Sequence, residues 1–460
     1  MKFFGNTKKF IDNSTMIRGS SVRQAIRAGF GKRSLSTATS QTRYTTLNNG
    51  VVVATEINPN AQTSSLGVYF GAGSRSEHPY SNGIAALTTN ILGGQSKSGV
   101  VLSTENKREL NGIIAQSTNE NVNEAGKVLG SIVSNYESVL QKADLNKFKS
   151  HLLHQAQALE NNPSKKVLEH LNATAFQGYS LGLPVLGTSD SIPDLQIDDS
   201  LRLLEKHFVA TNIVIAGSGN FNHDSLVDSI ESQFKVKSGL KPQIKPASFL
   251  GSEIRMRDDT LPKAYVAIGV EGEGIDSPAY YIAKVAAAVF GDFDCNSTLA
   301  HFTSPKLASI VQDYHIVDKY THFSHSYSDT GLWGFNAEIS NITSVDEFTH
   351  FALKQWNRLS ISISNAEIAR AKAQVKTALL AELNTPNAIV SDIATKVLSV
   401  GHRTSVQESL ERIDSITTKQ VMDWAKVALW DRDIVVSGTG QIEGLLDYGR
   451  NRNEMAMMRW

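Results

Sequence analysis

The alternation of apolar and polar residues predicts strands and helices in an order that occurs twice along the chain. Ser65–Gly71 alternates as a strand does, and a polar loop then leads to a helix that starts near Gly83. Ala264–Val270 is likewise strand-like, and a helix is predicted over Pro278–Phe290. A capping box at 364–367, Ser-Asn-Ala-Glu, predicts the start of a further helix.

The ends of the two halves carry an internal repeat. Thr211–Phe221 is an apolar strand that runs into Gly-Ser-Gly, and Arg432–Ile442 is a similar strand that runs into Gly-Thr-Gly. Pro163 and Pro386 each follow a long helical segment and an asparagine, and they are 223 positions apart. Such repetition indicates duplicated structural units. The predicted fold class is α+β: two homologous domains of about 210 residues, each a mainly antiparallel sheet packed with helices, clasping a cavity.

The boundary between the two domains is predicted near Lys237–Gly251, where Lys, Gly, Pro and Ser replace periodic sequence. We therefore divide the chain into a leader at 1–35, an N-terminal domain at 36–240 and a C-terminal domain at 241–460.

The leader has the composition of a mitochondrial transit peptide. It carries eight basic residues against one acid, Asp12, is rich in Ser, Ala and Gly, and lacks a long apolar stretch. Arg23 and Arg27 can extend from one side of a helix whose other side is apolar. The string Arg33–Ser36 is similar to a matrix processing site. A basic tail without a targeting role is the alternative.

Charge and composition exclude several classes of function. The chain has 45 basic and 45 acidic residues, and without the leader it has 37 and 44, a net charge of −7 that argues against nucleic acid. The single cysteine, Cys295, excludes a disulfide framework, a Cys-rich zinc site and a cysteine-ligated iron–sulfur cluster. The densest apolar stretch, Ile282–Phe290, is short and interrupted by Lys284, so any membrane connection is expected to be peripheral, through protein partners or a surface patch.

Several motifs in this order resemble the pitrilysin-type peptidase family, and within it the branch of the mitochondrial processing peptidase and the core proteins of respiratory complex III. The resemblance covers essentially the whole chain after the leader. The Gly-rich loop of the processing peptidase α subunit is missing around 291–305. The motifs that carry the resemblance are Gly71-Ala72-Gly73-Ser74-Arg75-Ser76-Glu77, Asn82-Gly83-Ile84-Ala85, Leu181-Gly182-Leu183-Pro184, Leu186-Gly187, and Asp447-Tyr448-Gly449-Arg450-Asn451-Arg452.

Catalytic members of this family carry His-x-x-Glu-His, in which the histidines bind Zn²⁺ and the glutamate takes a proton from the bound water. Here the two histidine positions fall on Ala86 and Asn90, and the base position falls on Thr89. The distal glutamate position falls near Gln155. We expect the three helix positions to project towards the cavity. Because none of these residue types replaces the missing chemistry, no catalytic residue, metal or cofactor is predicted.

The resemblance therefore implies a non-catalytic structural core subunit of the ubiquinol–cytochrome c reductase complex. It implies core protein 2, cytochrome b, cytochrome c1 and the Rieske subunit as partners, without nucleic acid. It also implies a peripheral position on the matrix side of the mitochondrial inner membrane. The alternatives are a β-type processing peptidase subunit and a module that binds presequences without cutting them.

Two pairs of histidines and the C-terminus were weighed as further candidates. His151 and His154 could hold a relocated metal, although helix histidines on a polar face are usually solvated. His322 and His325, three apart in a predicted strand, face opposite sides and cannot share an ion. The C-terminal cluster is expected to dock in a partner groove. It consists of Met455, Met457, Met458, Arg459 and Trp460.

Overall fold

The computed structural model describes residues 42–95, 99–298, 300 and 305–456, and every structural statement below concerns these residues. They belong to one compact unit. The predicted leader at 1–35 lies outside the described residues, as do four members of the C-terminal cluster, Met457, Met458, Arg459 and Trp460.

The first sheet is built from six strands of the first half. In the order β1-β2-β6-β3-β5-β4, only the β2–β6 pair is parallel. The strands are β1 Thr42–Thr46, β2 Val52–Ile57, β3 Thr63–Phe70, β4 Val101–Asn106, β5 Asn111–Thr118 and β6 Ile213–Gly219.

The second sheet repeats this plan in the second half. Its order is β7-β12-β8-β11-β10-β9, and only β7–β12 is parallel. The strands are β7 Glu253–Arg257, β8 Ala264–Gly272, β9 Asp292–Asp294, β10 Lys319–Ser326, β11 Gly331–Ile339 and β12 Val435–Gly440.

Five strands of one sheet match five of the other in order and direction. They pair as β2 with β7, β6 with β12, β3 with β8, β5 with β11 and β4 with β10, while β1 and β9 have no counterpart. The prediction of two similar, mainly antiparallel sheets packed with helices is therefore confirmed. The strands at the end of the sequence repeat, β6 and β12, occupy equivalent positions, each beside the strand to which it is parallel, β2 and β7 respectively.

Helices surround both sheets, and most begin where the sequence offers a capping side chain or a proline. The helix predicted after 364–367 begins there, with the capping box formed. The first half contains α1 Ile84–Gly93, α2 Val122–Ser134, α3 Tyr136–Lys142, α4 Leu145–Glu160, α5 Pro163–Ala175, α6 Ile197–His207 and α7 His223–Glu231. The second half contains α8 Tyr280–Phe290, α9 Lys306–Tyr314, α10 Ser344–Ile361, α11 Asn365–Glu382, α12 Pro386–Val400, α13 Val406–Asp414, α14 Thr418–Ala428 and α15 Tyr448–Glu454.

The helices that follow the two Asn/Thr–Pro breaks, α5 and α12, each pack on the sheet of the other half. Helix α12 of the second half packs on β3 and β6 of the first sheet. Its side chains Ile393 and Val397 lie in one apolar cluster with Tyr69, Val214 and Ala216 of that sheet. Because α12 covers one face of β6 and the first half's own helices cover the other, β6 is buried throughout.

Helix α5 of the first half makes the reciprocal contact with the second sheet. It packs on β8 and β12, and its side chains Val167 and Leu171 lie in one cluster with Ala267, Leu332 and Val435. Each half thus completes the core of the other. The sequence predicted two domains around a cavity, and it did not predict this exchange. The division at 240/241 falls between β6 and β7 and stays a prediction as a domain boundary.

Candidate functional site

The helix that carries the altered peptidase motif, α1, begins after Gly83, a position where another residue type would fit poorly. Gly83 precedes the helix with a φ of +96°, a conformation that favours glycine. Gly187 packs against it with a φ of +80°, and a Cβ there would lie 2.8 Å from the backbone oxygen of Asn82. Asn82 Nδ2 donates to Pro184 O at 3.0 Å. The structure therefore brings together three of the motifs that carried the family resemblance, those that contain Gly83, Pro184 and Gly187.

A buried carboxylate, Glu77, caps the N-terminus of α1. Its Oε1 accepts from Ala85 N at 2.7 Å, and its Oε2 accepts from Gly83 N at 2.9 Å and from Asn82 Nδ2 at 2.7 Å. Burial raises the pKa of Glu77 to about 7, although these three hydrogen bonds act in the opposite direction. The sequence analysis did not find this role. The sequence did contain a signal for this cap, because a glutamate stands shortly before a helix whose N-cap residue, Gly83, has no capping side chain.

Two positions of the altered motif, Ala86 and Thr89, are fully buried. Thr89 Oγ1 donates to Ala85 O at 2.8 Å and accepts from Asn111 Nδ2 at 3.0 Å, so its hydroxyl is engaged within the fold. The expectation that these two positions face an open cavity is wrong. Where α1 packs against β4 and β5, both side chains are inaccessible to solvent.

The third helix position, Asn90, is half-buried and also engaged. Its Oδ1 accepts from Thr104 Oγ1 at 2.9 Å and from Asn106 Nδ2 at 3.4 Å. Both donors belong to β4. The side chain that stands at the second histidine position thus fastens the motif helix to a neighbouring strand.

The distal position, Gln155, lies on α4, which packs against α1. Its Nε2 donates to the Nε2 of His151, one turn earlier, at 3.1 Å. Gln155 is half-buried, while His151 and His154 are exposed. Helix α4 thus lies beside the motif helix, and the assignment of the distal position to Gln155 stays a prediction.

These residues do not fit the zinc ion of the catalytic family members. Ala86 has no donor atom, the Thr89 hydroxyl is held by two hydrogen bonds, and amides are poor substitutes for imidazole and carboxylate. Within the described ranges, no group of three or more His, Cys, Asp or Glu side chains could hold a metal ion. No hydrolytic step can be derived through a metal at this site.

The second histidine pair has a structural role in β10. His322 Nε2 accepts from Trp356 Nε1 at 3.1 Å, and its ring stacks on Phe290 with centroids 4.8 Å apart. Burial lowers the pKa of His322 to about 3, so the ring is neutral at physiological pH. His325 instead stacks on Phe323. These contacts are typical of packing in a core.

An arginine from the motif region, Arg75, joins the two halves. Its guanidinium binds Asp329 through two hydrogen bonds of 2.7 and 2.6 Å and Glu109 Oε1 at 2.7 Å. Ser328 N donates to Glu109 Oε2 at 2.9 Å. Glu109 lies in the β4–β5 turn, and Ser328 and Asp329 lie in the equivalent β10–β11 turn. We call these four residues the Arg75 cluster, and it fixes two equivalent turns to each other.

A second buried arginine, Arg403, lies in the second half and contacts residues of the first half. Following α12, it donates through Nε to Asp392 at 2.8 Å and forms an ion pair with Glu56 of β2. Its backbone N–H donates to Tyr44 Oη of β1 at 2.8 Å. Burial lowers the pKa of Arg403 to about 10, which leaves it cationic at neutral pH. Both arginines therefore make charged contacts between the halves.

No helix within the part of the chain that the structure covers is long and apolar enough to cross a membrane.

Two family models match the chain. Residues 52–189 match the insulinase family of M16 peptidases, and residues 194–375 match the Peptidase M16 inactive domain.

Similar proteins are known over nearly the full length. The cytochrome b-c1 complex reductase subunit of Candida albicans is 62% identical and covers 97% of this chain and 100% of its own. Subunit 1 of the cytochrome b-c1 complex of Saccharomyces cerevisiae is 42% identical over 93% of this chain and 97% of its own. The β subunit of the mitochondrial-processing peptidase of Lentinula edodes is 34% identical over 96% and 99%.

A solved structure gives the same relationship. A chain of Complex III2 from Candida albicans, bound to Inz-5, superposes with a TM-score of 0.88 at 63% sequence identity. It covers 90% of this chain and 99% of its own.

Proposed function

The chain belongs to the M16 peptidase family, and from this premise we propose that it is core subunit 1 of the cytochrome b-c1 complex, the ubiquinol–cytochrome c reductase. Its relatives at 62% and 42% identity carry the name of that complex. The chain is a non-catalytic peptidase homologue with a structural role, and it is mitochondrial.

The observation that carries this function is a motif helix that keeps its fold while its positions serve packing. Ala86 and Thr89 are buried, and Asn90 binds the neighbouring strand. A site of this kind contributes to stability, and it has neither metal ligands nor a general base to activate a water molecule. Electron transfer belongs to other subunits of the complex, because this chain has no motif for haem, flavin or an iron–sulfur cluster.

The partners of the subunit are part of the proposal. They are core protein 2 as a paired subunit of the same fold, and cytochrome b, cytochrome c1 and the Rieske protein. Paired subunits of this size bury obligate interfaces of roughly 2,000 Å² or more. The proposed location is the matrix side of the inner membrane, where the chain is attached through these partners.

The test is purification of the complex through a tag on this chain after gentle detergent extraction of mitochondria. We expect b- and c-type haem absorbance to co-purify, with no stoichiometric zinc and no cleavage of presequence peptides by the isolated chain. Zinc at one ion per chain together with cleavage would establish the processing peptidase instead. Saturable presequence binding without haem co-purification would establish the presequence-binding module.

Variants at the altered motif sharpen this test. Asn90→Ala and Gln155→Ala remove the polar groups that remain at two motif positions, which any residual processing activity would have to use and which a structural subunit needs only for local packing. We expect both variants to assemble into the complex with unchanged haem content and quinol oxidation per haem. A loss of presequence processing in mitochondria that carry either variant, with the complex intact, would contradict the structural role.

A further inference from the structure

A cavity of about 260 Å³ lies beside the Arg75 cluster, and nothing in the proposed function uses it. Four parts of the chain enclose it: the residues 75–77 before α1, the loop 178–181 after α5, the end of α6 at 206–207, and the segment 243–247 that joins the halves. The lining residues that matter here are Arg75, Ser76, Tyr179, Lys206, His207 and Lys245.

The charges around the cavity favour an anion. Lys206 and Lys245 are exposed and form no ion pair with any residue that the structure describes. The Lys245 ammonium lies 4.9 Å from the centroid of the Tyr179 ring. The acid in the lining, Glu77, has both carboxylate oxygens occupied by the N-terminus of α1 and by Asn82. Arg75 is already balanced by its carboxylates, so the two lysines supply the excess positive charge.

One ring nitrogen of a buried histidine at this cavity, His207 Nε2, lacks a hydrogen-bond partner among the described residues. His207 is 3% exposed, and its Nδ1 lies 3.2 Å from Gly71 O. A carbonyl oxygen only accepts, so Nδ1 carries the proton and Nε2 is left as an acceptor. Burial lowers the pKa of His207 to about 4, so the ring stays neutral. Within the described residues, His207 Nε2 and Ser76 Oγ have no partner, which is uncommon for buried polar atoms.

We propose that this cavity binds hydrogen phosphate, an oxyanion that carries both negative charge and an O–H group at neutral pH. The P–OH group donates a hydrogen bond to the acceptor nitrogen of His207, Nε2. An anion without an O–H group has no donor to offer this nitrogen. The remaining oxygens accept from the ammonium groups of Lys206 and Lys245 and from the Ser76 hydroxyl. Hydrogen bonds to charged groups of this kind are the stronger ones.

The size of the cavity agrees with this ligand. A volume of about 260 Å³ is below the range of drug-sized sites and accommodates a small hydrated oxyanion. A bound phosphate would connect α6, the residues before α1 and the segment between the halves, next to the Arg75 cluster. It would therefore stabilise the contact between the two halves by binding the folded state.

The test uses the assembled, detergent-solubilised complex and measures hydrogen–deuterium exchange in peptides of this chain. Inorganic phosphate is titrated at constant ionic strength, and sulfate, which has no O–H group at neutral pH, is the matched anion. We expect saturable protection of peptides that cover 176–182, 203–208 and 243–247, at a concentration at least tenfold lower for phosphate than for sulfate. Lys206→Ala and Lys245→Ala should each raise the phosphate midpoint at least tenfold, while Lys147→Ala, an exposed lysine on α4, should leave it unchanged.

Three results would overturn the proposal. Equal protection by sulfate and phosphate would mean that the O–H group is not recognised. An unchanged midpoint in both lysine variants, which alter exposed side chains and should fold normally, would place the effect elsewhere. Protection that requires vesicles of phosphatidylglycerol, whose phosphodiester has no P–O–H group, would indicate a lipid surface. None of these results depends on the haem co-purification that tests the proposed function.

Discussion

Removal of the Arg75 guanidinium should loosen the contact between the two halves by an amount that the structure allows us to calculate. The Arg75 side chain is 3% exposed, and its partners Glu109 and Asp329 are 14% and 28% exposed. Loss of one partner from a buried ion pair costs about 3 to 5 kcal/mol, because the remaining charges are left without compensation. Here the two carboxylates can regain some water, so we expect a cost near the lower end, about 3 kcal/mol.

The assay is hydrogen–deuterium exchange of the assembled complex with Arg75→Ala. The backbone amides of Ser328 and Ala247 donate to Glu109 and Asp329, so they report directly on the cluster. A loss of about 3 kcal/mol corresponds to exchange faster by about a hundredfold at these amides. Arg202→Ala is the matched control, because Arg202 is exposed on α6 and lies 3.9 Å from its acidic partner, an interaction worth little.

A double-mutant cycle separates the ion pair from simple loss of packing. Asp329→Ala alone removes two hydrogen bonds from Arg75, yet in the Arg75→Ala background it also removes repulsion between Asp329 and Glu109. We therefore expect the double variant to be less destabilised than the sum of the single variants, by about 1 to 3 kcal/mol. Strict additivity, or exchange at Ser328 that does not change in Arg75→Ala, would refute the reasoning.

Three further predictions concern the helix exchange, the helix cap and the altered motif. Ile393→Ala, in the buried face of α12, should cost about 2 to 5 kcal/mol and speed exchange in β3 and β6 of the other half, whereas Leu380→Ala on the exposed part of α11 should have little effect. Burial raises the pKa of the Glu77 carboxyl to about 7, so the folded state binds the carboxyl proton more tightly than the unfolded state does. The protonated carboxyl therefore contributes most to stability below the ordinary pKa of a glutamate, and this contribution is lost as the pH rises through about 7. After correction for intrinsic rates, amides at the start of α1 should thus exchange faster at pH 7.5 than at pH 5, and Glu77→Gln should abolish that difference; the same pH dependence in the variant would contradict the assignment. Ala86→His should not restore zinc binding but should lower the melting temperature, since overpacking a buried site costs about 1 to 3 kcal/mol; stoichiometric zinc in this variant would contradict the burial argument.

At the peptidase-like site, residue types alone predict the loss of zinc chemistry, but they do not predict how the residues are packed. The identities of Ala86, Thr89 and Asn90 suffice to predict that zinc chemistry is absent, because coordination depends on donor atoms that these residues lack. Their surroundings could not be predicted in the same way. The expectation that Ala86 and Thr89 face a cavity failed because both are buried, and Asn111 of a neighbouring strand donates a hydrogen bond to the Thr89 hydroxyl.

The sequence by itself determined the repeated order of strands and helices, since periodicity and capping signals act over a few residues. It also located the Asn/Thr–Pro breaks before α5 and α12, which start the two exchanged helices. Only the tertiary structure decided that these helices cross to the opposite sheets, that Glu77 caps α1, and that Arg75 meets Asp329, 254 positions away. The physical reason is that such contacts are made between surfaces that exist only once the sheets have formed, and the sequence near either partner carries no record of the other.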